Sequence, residues 1–250
     1  VISSLYMILK MLLRRRIVLL LIVIVPAVFL FVVEFTTPER IIPFRLASLK
    51  DVVFVEISQK GTSFVFLSNA CAGFLVSFIA LNLIQRSSSV NHRLIICGYH
   101  PVELLLSHLL AVIIVICAIA LYMGILFSAF YPIKHKLVFI SGIMLMGFVY
   151  GCYGLLVGSI IKGELEGVLI IALMANIDAG WLQNPIFYAG ATNKIIIQYL
   201  PAYYPSQTTI IGAFTDYSAL LPAVYSLLYA LVLMLLAMIL FLNTMKIKKS

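Results

Sequence analysis

Charge is scarce in this 250-residue sequence, because only 10% of its residues are Asp, Glu, Lys or Arg. Acidic residues number 9, and tryptophan occurs once. Apolar residues instead make up 64% of the chain, whereas soluble globular domains contain roughly 45–50%. Together with a mean hydropathy of +1.16, this composition excludes a soluble globule and predicts an integral membrane protein.

Motifs for catalysis, metal binding and nucleotide binding are also missing. The four cysteines form no C-x-x-C pair, and His100, Glu103 and His108 do not form the H-E-x-x-H pattern of a zinc site. The sequence contains neither a G-x-S-x-G elbow nor a glycine-rich loop with Lys-Ser or Lys-Thr. We therefore expect no catalytic residue, no metal and no cofactor on this chain. If the protein does work against a gradient, its energy source is on another chain.

Long apolar runs divide the chain into spans. Runs of roughly 17 to 25 apolar residues can cross a bilayer as helices. Six candidates lie at about 17–34, 63–84, 102–127, 137–161, 167–182 and 219–242. The run at 167–182 is the shortest and contains Asn176 and Asp178. We predict an all-α membrane protein in which residues 1–250 form a single transmembrane domain.

The placement of lysine and arginine predicts the orientation, because cytoplasmic flanks of spans are enriched in these residues. With the N-terminus inside, the inner segments hold ten basic residues and the longer outer segments hold seven. Both termini are therefore predicted to be cytoplasmic, in a multi-pass protein of the cell membrane. The net charge of +8 then favours contact with anionic membrane lipids, not with nucleic acid.

Residues 1–16 precede the first span. Their apolar residues recur on one helical face at Leu5, Ile8, Leu9 and Leu12. We predict an interfacial helix that lies along the membrane surface. A secretory signal peptide is the alternative, but the apolar run from Ile17 to Val33 is longer than a typical signal core, and no small-residue cleavage site follows it.

A polar interruption separates the second and third apolar runs. Ser87 to Ser89 predict the cap of a short helix at 86–98, and Gly98 predicts its end in a left-handed conformation. Pro101 suits the first turn of the next helix, and Glu103 lies near the positive end of that helix. Because a connection between spans needs only a few residues, we expect this extra helix to contact a partner in the cytosol.

Small residues predict close helix packing in two spans. Steps of four, three and four residues place Gly147, Gly151, Gly154 and Gly158 on one face of the fourth span. The second span carries a similar stripe at Ala70, Gly73, Ser77 and Ala80, with Asn69 and Asn82 near its ends. Two interpretations of these polar residues stay open at this point: satisfied groups in a helix contact, or groups that face a transport path.

Residues 183–215 are too apolar for a free loop and too broken by Pro185, Pro201 and Pro205 for one span. Irregular backbone at membrane depth is tolerated only where protein or a water-filled cavity satisfies it. Tyrosines in and around this region suit the membrane surface. We therefore predict short re-entrant helices on the outer side, ahead of the last span.

This arrangement resembles the permease subunits of ABC-2 type exporters over nearly the whole chain. The best local similarity is G-Y-H-P-V-E-L-L-L-S-H-L-L from Gly98 to Leu110, in which His108 stands where the family commonly has Lys or Arg. A second similarity is L-P-A-Y-Y-P-S-Q from Leu200 to Gln207, with Gly212 to Phe214 after it. One departure is the family's Glu-Arg-Glu cluster ahead of the glycine, which is absent here.

The resemblance implies a permease that docks on a separate ABC ATPase, which binds ATP and Mg, and that pairs with a second permease chain as a homodimer or heterodimer. It places the coupling helix at 86–98, and its ATPase-coupling residues would be Asn91, His92, Arg93, Leu94, Ile95, Ile96, Gly98, Pro101 and Glu103. It implies a substrate pathway along the second and fifth spans, which points to Asn69, Ser77, Asn82, Asn176 and Asp178. Because the acidic cluster is missing, either the ATPase groove differs or docking depends on apolar contacts.

The expected function is export of hydrophobic or amphipathic cargo, such as a drug, lipid or peptide, by alternating access. Two alternatives come from other classes. An ion-coupled secondary carrier needs intramembrane carboxylates, and the spans contain almost none. A membrane-embedded enzyme needs a polar cluster, and the nearest one, Asp178 with Gln183, Asn184 and Lys194, has no recognisable spacing.

Overall fold

The computed structural model of the protein describes residues 2–46, 53–184, 187–188 and 192–245. In chain order the elements are α1 (Ile2–Leu13), α2 (Arg16–Thr36), β1 (Ile41–Leu46), β2 (Val53–Ser58), α3 (Gln59–Ile96), α4 (Pro101–Phe130), α5 (Lys136–Ile160), α6 (Glu164–Met174), a π-helical segment (Ala175–Leu182), α7 (Lys194–Gln198), α8 (Tyr203–Phe214) and α9 (Leu220–Met245). Helices therefore dominate the described part of the chain.

Six helical stretches are long and apolar enough to cross a membrane, as in a multi-pass membrane protein. They are Arg16–Thr36, Gln59–Ser88, Pro101–Phe130, Lys136–Ile160, Glu164–Leu182 and Leu220–Asn243. The prediction of six helical stretches of spanning length and hydropathy is thus confirmed, and the fifth consists of α6 and the π-helical segment. We call the end where α2 begins and α3 ends the N-terminal end, and the opposite end the hairpin end.

An antiparallel hairpin lies between the first two spans, so the all-α prediction is incomplete. Ile41 of β1 pairs with Ser58 of β2, and Leu46 pairs with Val53. β-Branched and aromatic residues fill much of both strands, and such residues favour extended backbone. The sequence analysis treated these residues only as an outer segment and missed this signal.

The packing face predicted on α5 is confirmed, because Gly147, Gly151, Gly154 and Gly158 all lie against α3 or α4. At Gly154 an added Cβ would lie 2.8 Å from the Ser77 Cα, and at Gly73 it would lie 3.3 Å from the Tyr150 ring. Small residues let helix backbones approach closely. The α3–α5 contact is therefore the centre of the bundle.

The prediction of a separate helix at 86–98 is wrong, because α3 is one continuous helix of 38 residues. Ser87 does not cap a new helix; its hydroxyl donates to the Leu83 carbonyl oxygen, one turn back in the same helix. A serine that bonds the preceding turn in this way is tolerated inside a helix. At 1.5 Å per residue α3 is about 57 Å long, and a hydrocarbon core is about 30 Å thick. The last turns of α3 therefore extend beyond the spanning part.

The structure contains helices in the two regions, 1–16 and 183–215, where the sequence predicts surface and re-entrant helices. The helix expected at 1–16 is α1, which buries Ser4 and Ile8 and packs against α4. The region 183–215 contains α7 and α8, and α8 is buried along most of its length against α5. Placement of α1 on the membrane surface and a re-entrant path for α8 stay predictions. Outside the described residues lie Pro185, Lys50, Lys246, Lys248 and Lys249, on which parts of the sequence analysis rested.

Candidate functional site

A cleft of about 440 Å³ opens between α2, α3 and the fifth span, in the half of the bundle nearer the hairpin. Its lining is mostly apolar or aromatic and comprises Val25, Phe29, Phe66, Leu67, Ala70, Cys71, Phe74, Ala172, Ala175, Gly180, Trp181 and Phe187. Among the described residues of this lining, two amide side chains, Asn176 and Asn184, add polar groups. An apolar cleft with few polar groups suits a hydrophobic or amphipathic ligand.

Of the five predicted pathway residues, only Asn176 lines this cleft. Its Nδ2 donates to the Ala172 carbonyl oxygen at 2.7 Å, one turn back in the fifth span. Within the π-helical segment, Asn176 and Trp181 are exposed at the cleft while Asp178 points into the protein. Such segments frequently occur at functional sites.

The three predicted pathway residues on α3 lie elsewhere, in contacts between and within helices. Asn69 is buried, and its Oδ1 accepts a hydrogen bond from Thr209 Oγ1 of α8 at 3.0 Å. Ser77 is buried beneath Gly154. Asn82 Nδ2 donates to the Phe78 carbonyl oxygen at 3.1 Å. These contacts favour the packing interpretation of all three residues.

Asp178 is almost fully buried and ties three parts of the chain together. Its Oδ2 accepts hydrogen bonds from the Tyr150 hydroxyl of α5 at 2.7 Å and from the Ala202 N–H at 2.9 Å. Its Oδ1 accepts one from Gln183 Nε2 at 3.2 Å. The carboxylate thus joins the fifth span to α5 and to the start of α8, and it does not line the cleft.

Buried polar atoms on α3 and α8 form a seam that the sequence analysis largely missed. Ser68 Oγ, Asn69 Nδ2, Ser206 Oγ and Gln207 Oε1 have no hydrogen-bond partner among the described residues. A buried unsatisfied group costs about 1–3 kcal/mol, and water commonly satisfies such groups. The polar run from Ser206 to Thr209, set in an apolar region, is the signal that predicts this seam.

An ion-pair cluster fixes α8 at the hairpin end. Asp216 pairs with Lys134 Nζ, and His135 Nε2 lies 2.9 Å from Asp216 Oδ1. The hydrogen bond from Lys134 lowers the pKa of the Asp216 carboxyl below its ordinary value. The backbone N–H groups of Lys134 and His135 donate to the Ala213 and Gly212 carbonyl oxygens. The last turn of α8 is therefore held against the connection between α4 and α5.

The turn between α3 and α4 follows the sequence prediction closely. Gly98 has a φ of +94°, in the left-handed region that favours glycine. Its N–H donates to the Ile95 carbonyl oxygen, and the Tyr99 N–H donates to the Leu94 carbonyl oxygen, both at 3.0 Å. These two bonds are those of a Schellman motif. Pro101 then opens α4 with Glu103 in its first turn, as predicted.

The nine predicted coupling residues differ in exposure, and only some of them lie at the surface. Asn91 is buried, so its placement on a docking surface is wrong; its Nδ2 donates to Ser87 Oγ at 3.2 Å. Leu94, Ile95 and Pro101 are half-buried. The exposed residues between positions 92 and 103, which we call the turn surface, are His92, Arg93, Ile96, Cys97, Gly98, Tyr99, His100, Val102 and Glu103. A partner of this chain can reach these side chains.

A buried histidine connects α3 and α4 just behind the turn surface. His108 Nε2 lies 2.7 Å from Ser87 Oγ, and its Nδ1 lies 2.7 Å from the Leu104 carbonyl oxygen. This contact, together with the bond from Asn91 to Ser87, fixes the end of α3 relative to α4. The sequence analysis considered His108 as a member of a zinc site and as a departure from the resembled family, whereas the structure shows that it links the second and third candidate spans.

Within the described part of the chain, the arrangement contains an apolar cleft and an exposed turn. There, no three His, Cys, Asp or Glu side chains lie close enough together to hold a metal ion. The cleft's polar groups are two neutral amides, which can orient a ligand but provide no acid or base. Comparison of the chain with protein-family models gives no match, and comparison with curated proteins gives no match either.

Proposed function

We propose that this chain is the transmembrane permease subunit of an ATP-driven exporter of the ABC-2 type. The observation that carries the proposal is α3, which lines the cleft with Phe66 and Ala70 and continues without a break to the exposed turn at Gly98. The order of elements supports it: a helix ahead of the first span, six candidate spans, and short helices before the last one.

In the proposed orientation the N-terminal end faces the cytoplasm. Arg14, Arg15, Arg16, Arg86 and Lys162 all lie at that end of the bundle, in agreement with the enrichment of basic residues beside cytoplasmic ends of spans. The chain then has the turn surface in the cytoplasm and the hairpin outside. Both termini are cytoplasmic in this orientation.

The turn surface would dock on an ABC ATPase, which would bind ATP and Mg. Ile96 is 66% exposed and Tyr99 is 39% exposed, so the contact would be apolar at its centre, with His92, Arg93 and Glu103 around it. This composition replaces the acidic pairing of the resembled family. Exposed apolar and aromatic groups surrounded by polar ones are typical of protein interfaces.

Coupling would follow from the stiffness of α3. ATP would favour one state of the ATPase, and the two ATPase states would differ in affinity for the two permease states. Because His108 and Ser87 tie α3 to α4 next to the turn, both helices would move when the turn moves. Displacement of α3 would then change the cleft between α2, α3 and the fifth span and move cargo by alternating access.

The lining of the cleft favours hydrophobic or amphipathic cargo, such as a drug, a lipid or a peptide. Phe29, Phe66, Phe74 and Trp181 offer aromatic surface, and Asn176 offers one orienting amide. A second permease chain, identical or different, would complete the pathway, and exposed apolar side chains along α2 and α9 would face lipid or that chain.

Affinity purification of the tagged chain from its native cell, in mild detergent and followed by mass spectrometry, tests this proposal. We expect a nucleotide-binding ATPase to accompany the chain. Ile96→Asp should reduce its recovery about tenfold or more, since loss of a central apolar contact costs at least about 1.4 kcal/mol. Tyr217→Asp, at the hairpin end and 44% exposed, is the matched control and should leave recovery unchanged. Purification without any ATPase would oppose the proposal.

A further inference from the structure

A second cavity, of about 240 Å³, lies at the N-terminal end between α3, α5 and α9. Ile84 and Phe241 form apolar walls, whereas Ser88, Ser159 and Lys162 place polar groups in the same lining. Ser88 is exposed, so the cavity opens to the surroundings. This cavity is separate from the cleft between α2, α3 and the fifth span, which shares none of its lining residues.

The lining includes a lysine, Lys162, that forms no ion pair among the residues that the structure describes. Arg86, which directly follows the cavity residue Gln85 on α3, is paired with Glu164 through Nε–Oε1 at 3.0 Å and NH2–Oε2 at 3.3 Å. Lys162 is exposed and makes no ion pair with any described residue. The unpaired ammonium group makes the cavity suited to an anion.

The backbone on both sides of Lys162 is fixed to α3. Gln85 Nε2 donates to the Ile161 carbonyl oxygen at 2.8 Å and to the Gly163 carbonyl oxygen at 3.1 Å. Lys162 therefore extends from a short connection whose backbone is held against the cavity wall by hydrogen bonds. Because this backbone is already ordered, ligand binding loses less conformational entropy. A free surface lysine lacks this support.

The position of the cavity along the candidate spans favours the phosphate of a lipid headgroup as the bound anion. Its lining falls at the ends of two candidate spans, Gln59–Ser88 and Lys136–Ile160, which is the level of phospholipid headgroups. The sequence adds Lys246, Lys248 and Lys249 directly after α9, and basic residues of this kind attract anionic lipid.

We propose that this cavity binds one anionic phospholipid, with its phosphate at Lys162 and its headgroup hydroxyls near Ser88 and Ser159. The site depends only on membrane insertion and not on the proposed transport function. An ATPase-free preparation of the chain is therefore sufficient to test it.

Native mass spectrometry of the delipidated chain in a neutral detergent provides the test. We expect phosphatidylglycerol to bind more tightly than phosphatidylcholine with the same acyl chains. Lys162→Ala should weaken phosphatidylglycerol binding about fivefold, the effect of one basic group near an anionic headgroup. Ser88→Trp, which fills the opening without removing charge, should also weaken it. Lys136→Ala removes an exposed lysine at the other end of α5 and should have no effect.

Several results would overturn the proposal. The first is that phosphatidylglycerol and phosphatidylcholine bind equally tightly. The second is that neither Lys162→Ala nor Ser88→Trp weakens phosphatidylglycerol binding. The third is that Lys136→Ala weakens this binding as much as Lys162→Ala does. Inorganic phosphate or glycerol phosphate that displaces the lipid at equal concentration would identify a soluble anion site instead. Thermal unfolding of each variant without lipid confirms that the variant is folded before its binding is compared.

Discussion

Gly154→Ala is expected to destabilise the protein, whereas Gly147→Ala is expected to be nearly neutral. At Gly154 the added Cβ falls against the Ser77 carbonyl oxygen and 2.8 Å from the Ser77 Cα, which are backbone atoms of α3. At Gly147 the nearest atoms are side-chain carbons of Ile116, at 3.1 and 3.2 Å, which can shift. Overpacking that moves backbone costs about 1–3 kcal/mol.

The two variants form a matched pair, because both replace glycine by alanine on the same face of one helix. Both also gain helix propensity, by about 1 kcal/mol relative to glycine, so this contribution cancels in the comparison. Thermal unfolding in detergent, followed by the loss of the monodisperse peak in size-exclusion chromatography, measures the difference. Equal midpoints for the two variants would contradict the close α3–α5 contact.

Asp178→Ala is expected to cost about 3 kcal/mol or more, since hydrogen bonds to a charged group contribute about 1.5–3 kcal/mol each. The substitution leaves Tyr150, Gln183 and the Ala202 N–H without their shared acceptor inside the protein. Tyr150→Phe removes one of the three donors and should cost less. Asp216→Ala removes an exposed carboxylate and serves as the control, with a much smaller loss.

Substitution of Asp178 also distinguishes the proposed exporter from the alternative, an ion-coupled carrier. A carrier that used Asp178 as its proton site would lose transport in Asp178→Asn while it kept its thermal stability. We expect the opposite order, with stability lost first, because Asp178 is occupied by three protein donors and does not line the cleft. Unfolding midpoints and uptake into vesicles under a proton gradient distinguish these outcomes.

Spans, the turn at Gly98 and the packing glycines were predictable because each depends on local sequence. The length of an apolar run shows directly whether a helix can cross the bilayer. A glycine after a helix is a strong signal for the end of that helix. The continuity of α3 was not predictable in this way. Three serines in a row suggest a cap, but the hydroxyl of Ser87 finds a carbonyl oxygen in its own helix and a ring nitrogen of His108 on α4.

The candidate site was predicted only in part, because its members come together through tertiary packing. Asn176 and Asp178 are two residues apart, and the sequence analysis assigned both to a pathway. The π-helical segment turns one toward the cleft and the other inward. The aromatic walls of the cleft come from three separate spans, and no single run of sequence records which apolar side chains face lipid and which face a cleft.

Site-specific photo-crosslinking in native membranes tests the central claim, that the turn between α3 and α4 docks on an ATPase. A photoreactive phenylalanine derivative would replace Tyr99 in one sample and Tyr217 in the other. These two exposed tyrosines lie at the N-terminal end and the hairpin end of the bundle, respectively. The proposal predicts a crosslink from position 99 to a nucleotide-binding subunit and none from position 217. An ATPase crosslink from position 217, or none from position 99 in a membrane where the chain is intact, would contradict it.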